Sequence, residues 1–156
     1  MIAAMDPAHP HARQCLEAYL AELAGRFDGG FDVTRSIPAG ADDLRPPAGL
    51  LLVATRDGEP IGCGALKLHG AEPTEIKRMW VSPVARGEGL GRRLLAALEM
   101  EALARSASRV VRLETNRALV EAIALYRSVG YVEVAPFNDE PYAHHWFEKS
   151  LRPDSA

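Results

Sequence analysis

The chain has 156 residues, 47% of them hydrophobic and 25% charged, with a formal net charge of −3. That length suffices for one domain with a substantial core, and that balance excludes a disordered chain or a coiled coil. The slight acidity gives no general pull toward nucleic acid or an anionic membrane, and no run approaches the roughly 20 apolar residues of a membrane span.

The first residues, Met1 to Pro7, lack the charged start and apolar run of a secretory signal, so the expected location is the cytoplasm. Cys15 and Cys63 are far apart and fall in different elements, and are expected to be free buried thiols rather than a disulfide. Residues 1–5 read as a short first strand. Asp6-Pro7 and His9-Pro10 both suit a helix start, because proline fits the first helical position. From there to Phe27, residues Leu16, Tyr19, Leu20, Leu23 and Phe27 fall on one helical face. Residues 28–49 carry Gly29-Gly30, Pro38, Gly40 and Pro46-Pro47 and read as a long loop, of the kind that is often functional or mobile.

Residues 50–55 and 60–68 form two apolar runs joined by Arg56-Asp57-Gly58-Glu59, a strong hairpin signal. Cys63 stands between Gly62 and Gly64, where it is expected to pack against neighbouring backbone, with no nearby base to make it a nucleophile. Residues 75–81 form the central strand, which Pro83 ends. After a turn containing Gly87, Gly89 and Gly91, the four-residue recurrence of Leu90, Leu94, Leu98 and Ala102 predicts a helix from about Arg92. Residues 109–115 alternate as another strand. Leu119, Ala122, Ile123, Tyr126 and Val129 mark the next helix, which Gly130 ends. Residues 131–134 and 143–151 are two final strands. The expected fold is α/β: one domain over residues 1–156, with a single mixed, mostly antiparallel sheet and helices on both faces.

The glycine turn carries the chemistry. Three alternate glycines let the backbone approach a ligand and aim N–H groups one way, and the helix start adds free donors and the positive end of its dipole. Such a site takes an anion such as a diphosphate, with Arg86, Arg92 and Arg93 adding charge. A dinucleotide fingerprint would need glycine where Arg92 stands, and a P-loop would need Lys-Ser/Thr; neither is present. The plainer alternative is a helix entry that merely needs flexible residues. Arg86-Gly87-x-Gly89-x-Gly91, after Met79-Trp80-Val81-x-Pro83, resembles the acyl-CoA loop of the GNAT N-acetyltransferases. The resemblance runs from about residue 50 to the end of the chain.

That resemblance implies acetyl-CoA as acyl donor, held by Arg86, Gly87, Gly89, Leu90, Gly91 and Arg92 and by the backbone at Met79 and Val81. It implies that Asn116 bonds the cofactor; helix N-capping is the plainer reading of that residue, and both could hold. It implies that Tyr126 protonates the departing thiolate, which a phenol still protonated at neutral pH can do; packing in the core is the alternative. It implies that Glu75 acts through water as base, although alternation puts Lys77 on the same face and makes a structural ion pair equally reasonable. Alternation also puts Glu75, Lys77, Met79 and Val81 on one face and Ile76, Arg78 and Trp80 on the other.

The acceptor side is expected from residues 28–49, with Phe31 and Asp32 as candidates, and from the polar stretch after Asn138. Lys77, Arg78, Asn138, Tyr142 and His144 are the acceptor-binding candidates, and two cations with a histidine suit an acceptor carrying a carboxylate or phosphate. His144 and His145 point to opposite faces of a strand and cannot share a metal, so no metal is expected. The expected reaction moves acetyl directly from acetyl-CoA to a primary amine of a small, acidic metabolite, with no nucleic-acid or membrane partner and room for a homodimer. A protein N-terminus or lysine is the alternative acceptor, and a non-catalytic acyl-CoA sensor the alternative class.

Overall fold

The computed structural model describes residues 1–152, and among these described residues seven strands form one sheet accompanied by three α-helices. The sheet order is β1-β2-β3-β4-β5-β7-β6, with β1 Ile2–Ala4, β2 Gly49–Arg56, β3 Glu59–His69, β4 Glu72–Val81, β5 Val110–Thr115, β6 Val132–Val134 and β7 His145–Ser150. Every neighbouring pair is antiparallel except β4 and β5, which are parallel and paired at Thr74↔Val111 and Glu75↔Arg112. Past Glu75 these two strands part, and the gap between them positions the site. Helix α1 (Pro10–Arg26) covers one face; α2 (Leu90–Arg105) and α3 (Val120–Ser128) cover the other.

Local chemistry explains the boundaries. Pro10 opens α1, and the His9 ring accepts a hydrogen bond from the His11 N–H at 3.1 Å. Asp57 and Gly58 turn the β2–β3 hairpin with φ of 53° and 79°, the two positive values that match the twist of the strands. Gly130, at φ 99°, follows the end of α3. Helix α2 begins at Leu90, earlier than the expected Arg92, because Gly89 caps it in the left-handed region and Leu90 is already buried. The expected last strand shortens to β7, which starts at His145. The loop of residues 28–49 holds two short 3-10 turns, Val33–Arg35 and Ala41–Leu44, the second anchored by buried Leu44.

Leu50, Leu52, Leu66, Leu98, Leu113 and Phe147 form the core between the sheet and α2–α3, while Ala12, Cys15, Leu51, Val53, Cys63 and Ala65 pack the α1 face. Both cysteines are free and buried. The simple alternation expected for β4 fails at one residue. Arg78 adopts φ 57°, and the β3–β4 register shifts between Cys63 and Ala65. The extra residue places Ile76 and Met79 together against the α2 side, with Lys77 and Trp80 on the α1 side. Among the described residues, no helix is long and apolar enough to cross a membrane.

Candidate active site

The parting of β4 and β5 opens two cavities. The larger, ≈ 270 Å³, runs from the glycine turn and Val81 between α1 and α3. The smaller, ≈ 100 Å³, lies under the loops before β2 and β7. Tyr19, Leu23, Met79, Leu119, Ala122 and Tyr126 line both, so the two meet beside the tyrosines.

At the outer end of the larger cavity, Gly87 (φ 80°) and Gly89 (φ 79°) turn the chain with open space where a Cβ would stand. No side chain caps α2, so its first N–H groups are left for a ligand. Gly91 serves packing: a Cβ there would lie 3.0 Å from Leu125 Cδ2 and 3.8 Å from Val81 Cγ2. This cradle of backbone donors fits a diphosphate. Gly87, Gly89, Leu90, Gly91, Met79, Val81 and Arg86 all line the cavity. Arg86 donates from Nε to the Val81 carbonyl at 3.0 Å and pairs with Glu22 of α1. Arg92 is outside the lining and donates to Ser128 Oγ at 3.2 Å.

Tyr126 sits where the cavities join, 6% exposed. Burial, then nearby Tyr19 and Glu114, push its phenol well above the usual range, so the hydroxyl keeps its proton at neutral pH. Tyr19, expected as part of a helix face, also lines the junction of the two cavities. Burial raises its phenol too, and the Arg78 guanidinium lies 5.6 Å from its ring centre.

The floor of the smaller cavity is charged. Lys77 Nζ reaches Glu75 Oε2 at 3.2 Å and pairs closely with Glu114, while His69 Nε2 lies 2.8 Å from Glu75 Oε1. Glu75, the expected base, is therefore held on both oxygens and is absent from the cavity lining. Burial is the largest single influence and pushes its carboxyl up, but Lys77, His69 and Arg112 together outweigh it and hold it below the usual range. Lys77 is pushed down by burial and raised more strongly by Glu114 and Glu75, so it stays an ammonium already matched by two carboxylates. It lines the cavity but has little charge to spare for a ligand.

Glu114, which carries no motif in the sequence, lines that cavity with its side chain 7% exposed and Oε2 buried without a partner among the described residues. Its signal was available in the alternation of β5. Val111 and Leu113 face the core, so Arg112 and Glu114 face Lys77 once β4 and β5 are paired in parallel.

The remaining candidates divide. Arg78, Tyr142 and Phe31 line the smaller cavity, and the Tyr142 hydroxyl accepts from the Asp32 N–H at 2.9 Å. Asp32 itself caps a 3-10 turn through Thr34 at 3.0 Å. Asn116 lines the cavity but does not cap α3, whose N-cap is Leu119. Instead it donates to the Tyr142 carbonyl at 2.7 Å and accepts from Ala118 N–H at 2.8 Å. Asn138 lies outside the lining, where its Oδ1 accepts from Trp146 Nε1 at 2.9 Å. His144 is also outside it: its ring accepts from the Arg117 N–H at 3.1 Å. His145 pairs with Glu133 at 2.7 Å. Glu140, not anticipated, staples the two roof loops by accepting from Ser36 Oγ, Ile37 N–H at 2.9 Å and Tyr142 N–H at 3.0 Å. Among the described residues no cluster of His, Cys, Asp and Glu is arranged to hold a metal.

A parted parallel strand pair with a glycine-flanked helix start at its mouth makes this an α/β protein with an anion-binding cradle at the edge of its sheet. The chain matches the Acetyltransferase (GNAT) family over residues 14–131 and belongs to it. It is 43% identical over 100 residues to an IAA acetyltransferase of Azospirillum brasilense, covering 64% of this chain and 63% of that one. The chain spans less than two thirds of the curated relatives it matches. Among solved structures, a protein of Klebsiella pneumoniae described as a putative acyl-CoA N-acyltransferase superposes with TM-score 0.77 at 31% identity, covering 97% of each chain. A GNAT family acetyltransferase of Elizabethkingia anophelis, solved with acetyl-CoA bound, shares the fold at 18% identity, TM-score 0.64 and 97% coverage of each chain.

Proposed function

We propose that the protein is an N-acetyltransferase that passes the acetyl group of acetyl-CoA directly to the primary amine of a small metabolite bearing an acidic group. The observation that carries this reading is the continuity of the two cavities: the uncapped start of α2 opens into one, and both end at Tyr126.

In this reading the N–H groups of residues 87–92 hold the diphosphate, and the unpaired edge of β4 at Met79 and Val81 offers backbone donors to the pantetheine arm and the thioester oxygen. Tyr126 gives its proton to the departing sulfur. Arg78 faces the smaller cavity beside the Tyr19 ring, with a 3.4 Å contact to the Ala39 carbonyl, and its guanidinium suits the acceptor's carboxylate or phosphate. The roof stapled by Glu140 and the small cavity beneath it, ≈ 100 Å³, favour a compact acceptor over a protein lysine.

A screen of primary amines with acetyl-CoA, following release of free thiol, tests the reading. Turnover concentrated among small amines with an acidic group supports it; preference for peptides or for polyamines contradicts the acceptor assignment. A non-catalytic acyl-CoA sensor would bind coenzyme A and turn over none of them.

A further inference from the structure

We infer that the acceptor carries an aromatic ring beside its acidic group, and that Phe27, Phe31 and Tyr142 form the wall against which this ring packs. The inference rests on the N-acetyltransferase reading and deepens it by naming the substrate class. That class is an aryl-bearing amine with a carboxylate or phosphate, of which an aromatic amino acid is the simplest example.

The wall is assembled from three separate stretches of chain. Phe27 closes α1, with its N–H bonded to the Leu23 carbonyl at 3.0 Å. Phe31 stands in the loop that follows, and Tyr142 in the loop before β7. All three line the smaller cavity. Their ring centres lie 5.7 Å (Phe27–Phe31), 5.9 Å (Phe27–Tyr142) and 4.7 Å (Phe31–Tyr142) apart, with Phe27 and Phe31 edge to face at 85°. Among the described residues, none of the three belongs to the core on either side of the sheet. Core packing therefore does not account for them: they cover one another and present the rest of their surface to the cavity. Large aromatic side chains gathered at a cavity wall are a form that recognition of an apolar ring takes.

The wall is also held still. The Tyr142 hydroxyl accepts from the Asp32 N–H at 2.9 Å, its carbonyl accepts from Asn116 Nδ2 at 2.7 Å, and its N–H donates to Glu140 at 3.0 Å. The first of these bonds joins Tyr142 to the residue after Phe31, so the two closest rings are fixed relative to each other. A ligand that packs on a preset surface has less ordering to offset. The same geometry argues against a cation as the occupant. Centres 4.7 to 5.9 Å apart put the rings in contact, with no box between them for an ammonium. Glu140, the carboxylate beside them, has its oxygens engaged by Ser36, Ile37 and Tyr142. Arg78 faces the same cavity beside Tyr19, so the acid and the ring of one compact molecule find separate partners.

The test uses the full chain with coenzyme A present and two probes of matched length and charge, 3-phenylpropanoate and 3-cyclohexylpropanoate, titrated by NMR chemical-shift perturbation. Neither carries an amine, so binding is read without turnover. Simple apolar burial would favour the saturated ring. The wild type should instead bind the phenyl probe about fivefold more tightly, because ring-on-ring packing adds to burial. Phe31→Leu, which keeps apolar bulk without the ring, should lose that preference, and Phe31→Tyr should keep it, with both variants still binding coenzyme A. Equal or tighter binding of the cyclohexyl probe by the wild type, binding of neither probe, or an unchanged preference in Phe31→Leu overturns the inference. Should the wild type acetylate no amine at all, the enzymatic reading fails, but the titration still decides whether these rings form an aryl site.

Discussion

Lys77 Nζ stands 3.2 Å from Glu75 Oε2, and the same ammonium closes on Glu114 of the neighbouring strand. A single cation thus ties β4 to β5 just where their backbone pairing ends at Glu75↔Arg112. Replacing Lys77 by Met leaves the buried Glu114 carboxylate without its ammonium partner and Glu75 relying on His69 and Arg112. Removing one partner of a buried ion pair costs roughly 3–5 kcal/mol. Urea unfolding of Lys77→Met should show a loss of that order, whereas a change within error would mean the pair contributes nothing.

The same pair gives a pH dependence with a definite sign. Glu75 is held below its ordinary value of 4.5 in the fold. A carboxyl depressed on folding contributes stability that is full above its unfolded value and is lost as pH falls through the folded one. Lys77, raised above 10.5, contributes stability that is present below that value and lost as pH rises through the folded one. Thermal unfolding should therefore show acid destabilisation beginning below about pH 4.5, shallower in Glu75→Gln. An identical acid profile in that variant would contradict the assignment.

Tyr126→Phe keeps the ring contacts with Tyr131 and Phe147, at 5.9 and 6.1 Å between centres, and removes only the hydroxyl. Turnover with the best amine of the screen should fall about 10²-fold, in line with a lost general acid, with coenzyme A affinity unchanged. Unchanged turnover would return Tyr126 to a packing role.

Arg86 is paired with Glu22 across the mouth of the larger cavity, where in the proposed reading a diphosphate would compete for the guanidinium. Exposed ion pairs are worth about 0–1 kcal/mol, so Glu22→Gln should tighten coenzyme A binding by no more than about fivefold. Arg86→Ala should weaken it. Calorimetry reads both, and a weaker Glu22→Gln complex would place Glu22 among the ligand's contacts instead.

Gly49 opens β2 with no room for a side chain: a Cβ there would lie 2.0 Å from the Asp43 carbonyl oxygen and 2.4 Å from that of Leu66. Both obstacles are backbone. Gly49→Ala should cost about 3 kcal/mol or more in unfolding free energy, beyond the ordinary penalty of overpacking.

Much of this architecture was legible before folding. The Asp57-Gly58 hairpin, the leucine recurrence of α2 and the glycine turn are local signals, each set by backbone chemistry within a few residues. What the sequence hid was longer-range. The bulge at Arg78 shifts the phase of β4 and brings Ile76 and Met79 to the same side, and no residue type announces a positive φ on an arginine. The Glu75–Lys77 pair was legible from alternation along one strand, whereas His69 and Glu114 reach it only through the β3–β4 and β4–β5 pairings. Glu114 looked like an ordinary strand residue until the parting of β4 and β5 turned it toward a cavity. His144 and Asn138, attractive by type, are committed to the Arg117 backbone and the Trp146 indole across loops whose folding no periodicity describes.

The most direct measurement is a calorimetric comparison of coenzyme A with pantetheine, which has the thiol arm but no diphosphate. If the start of α2 grips the diphosphate, coenzyme A should bind far more tightly, and Gly89→Val, which forces a branched side chain into the left-handed region at φ 79°, should abolish the difference. Equal affinity for the two ligands, or no heat with either, would contradict the account at its root.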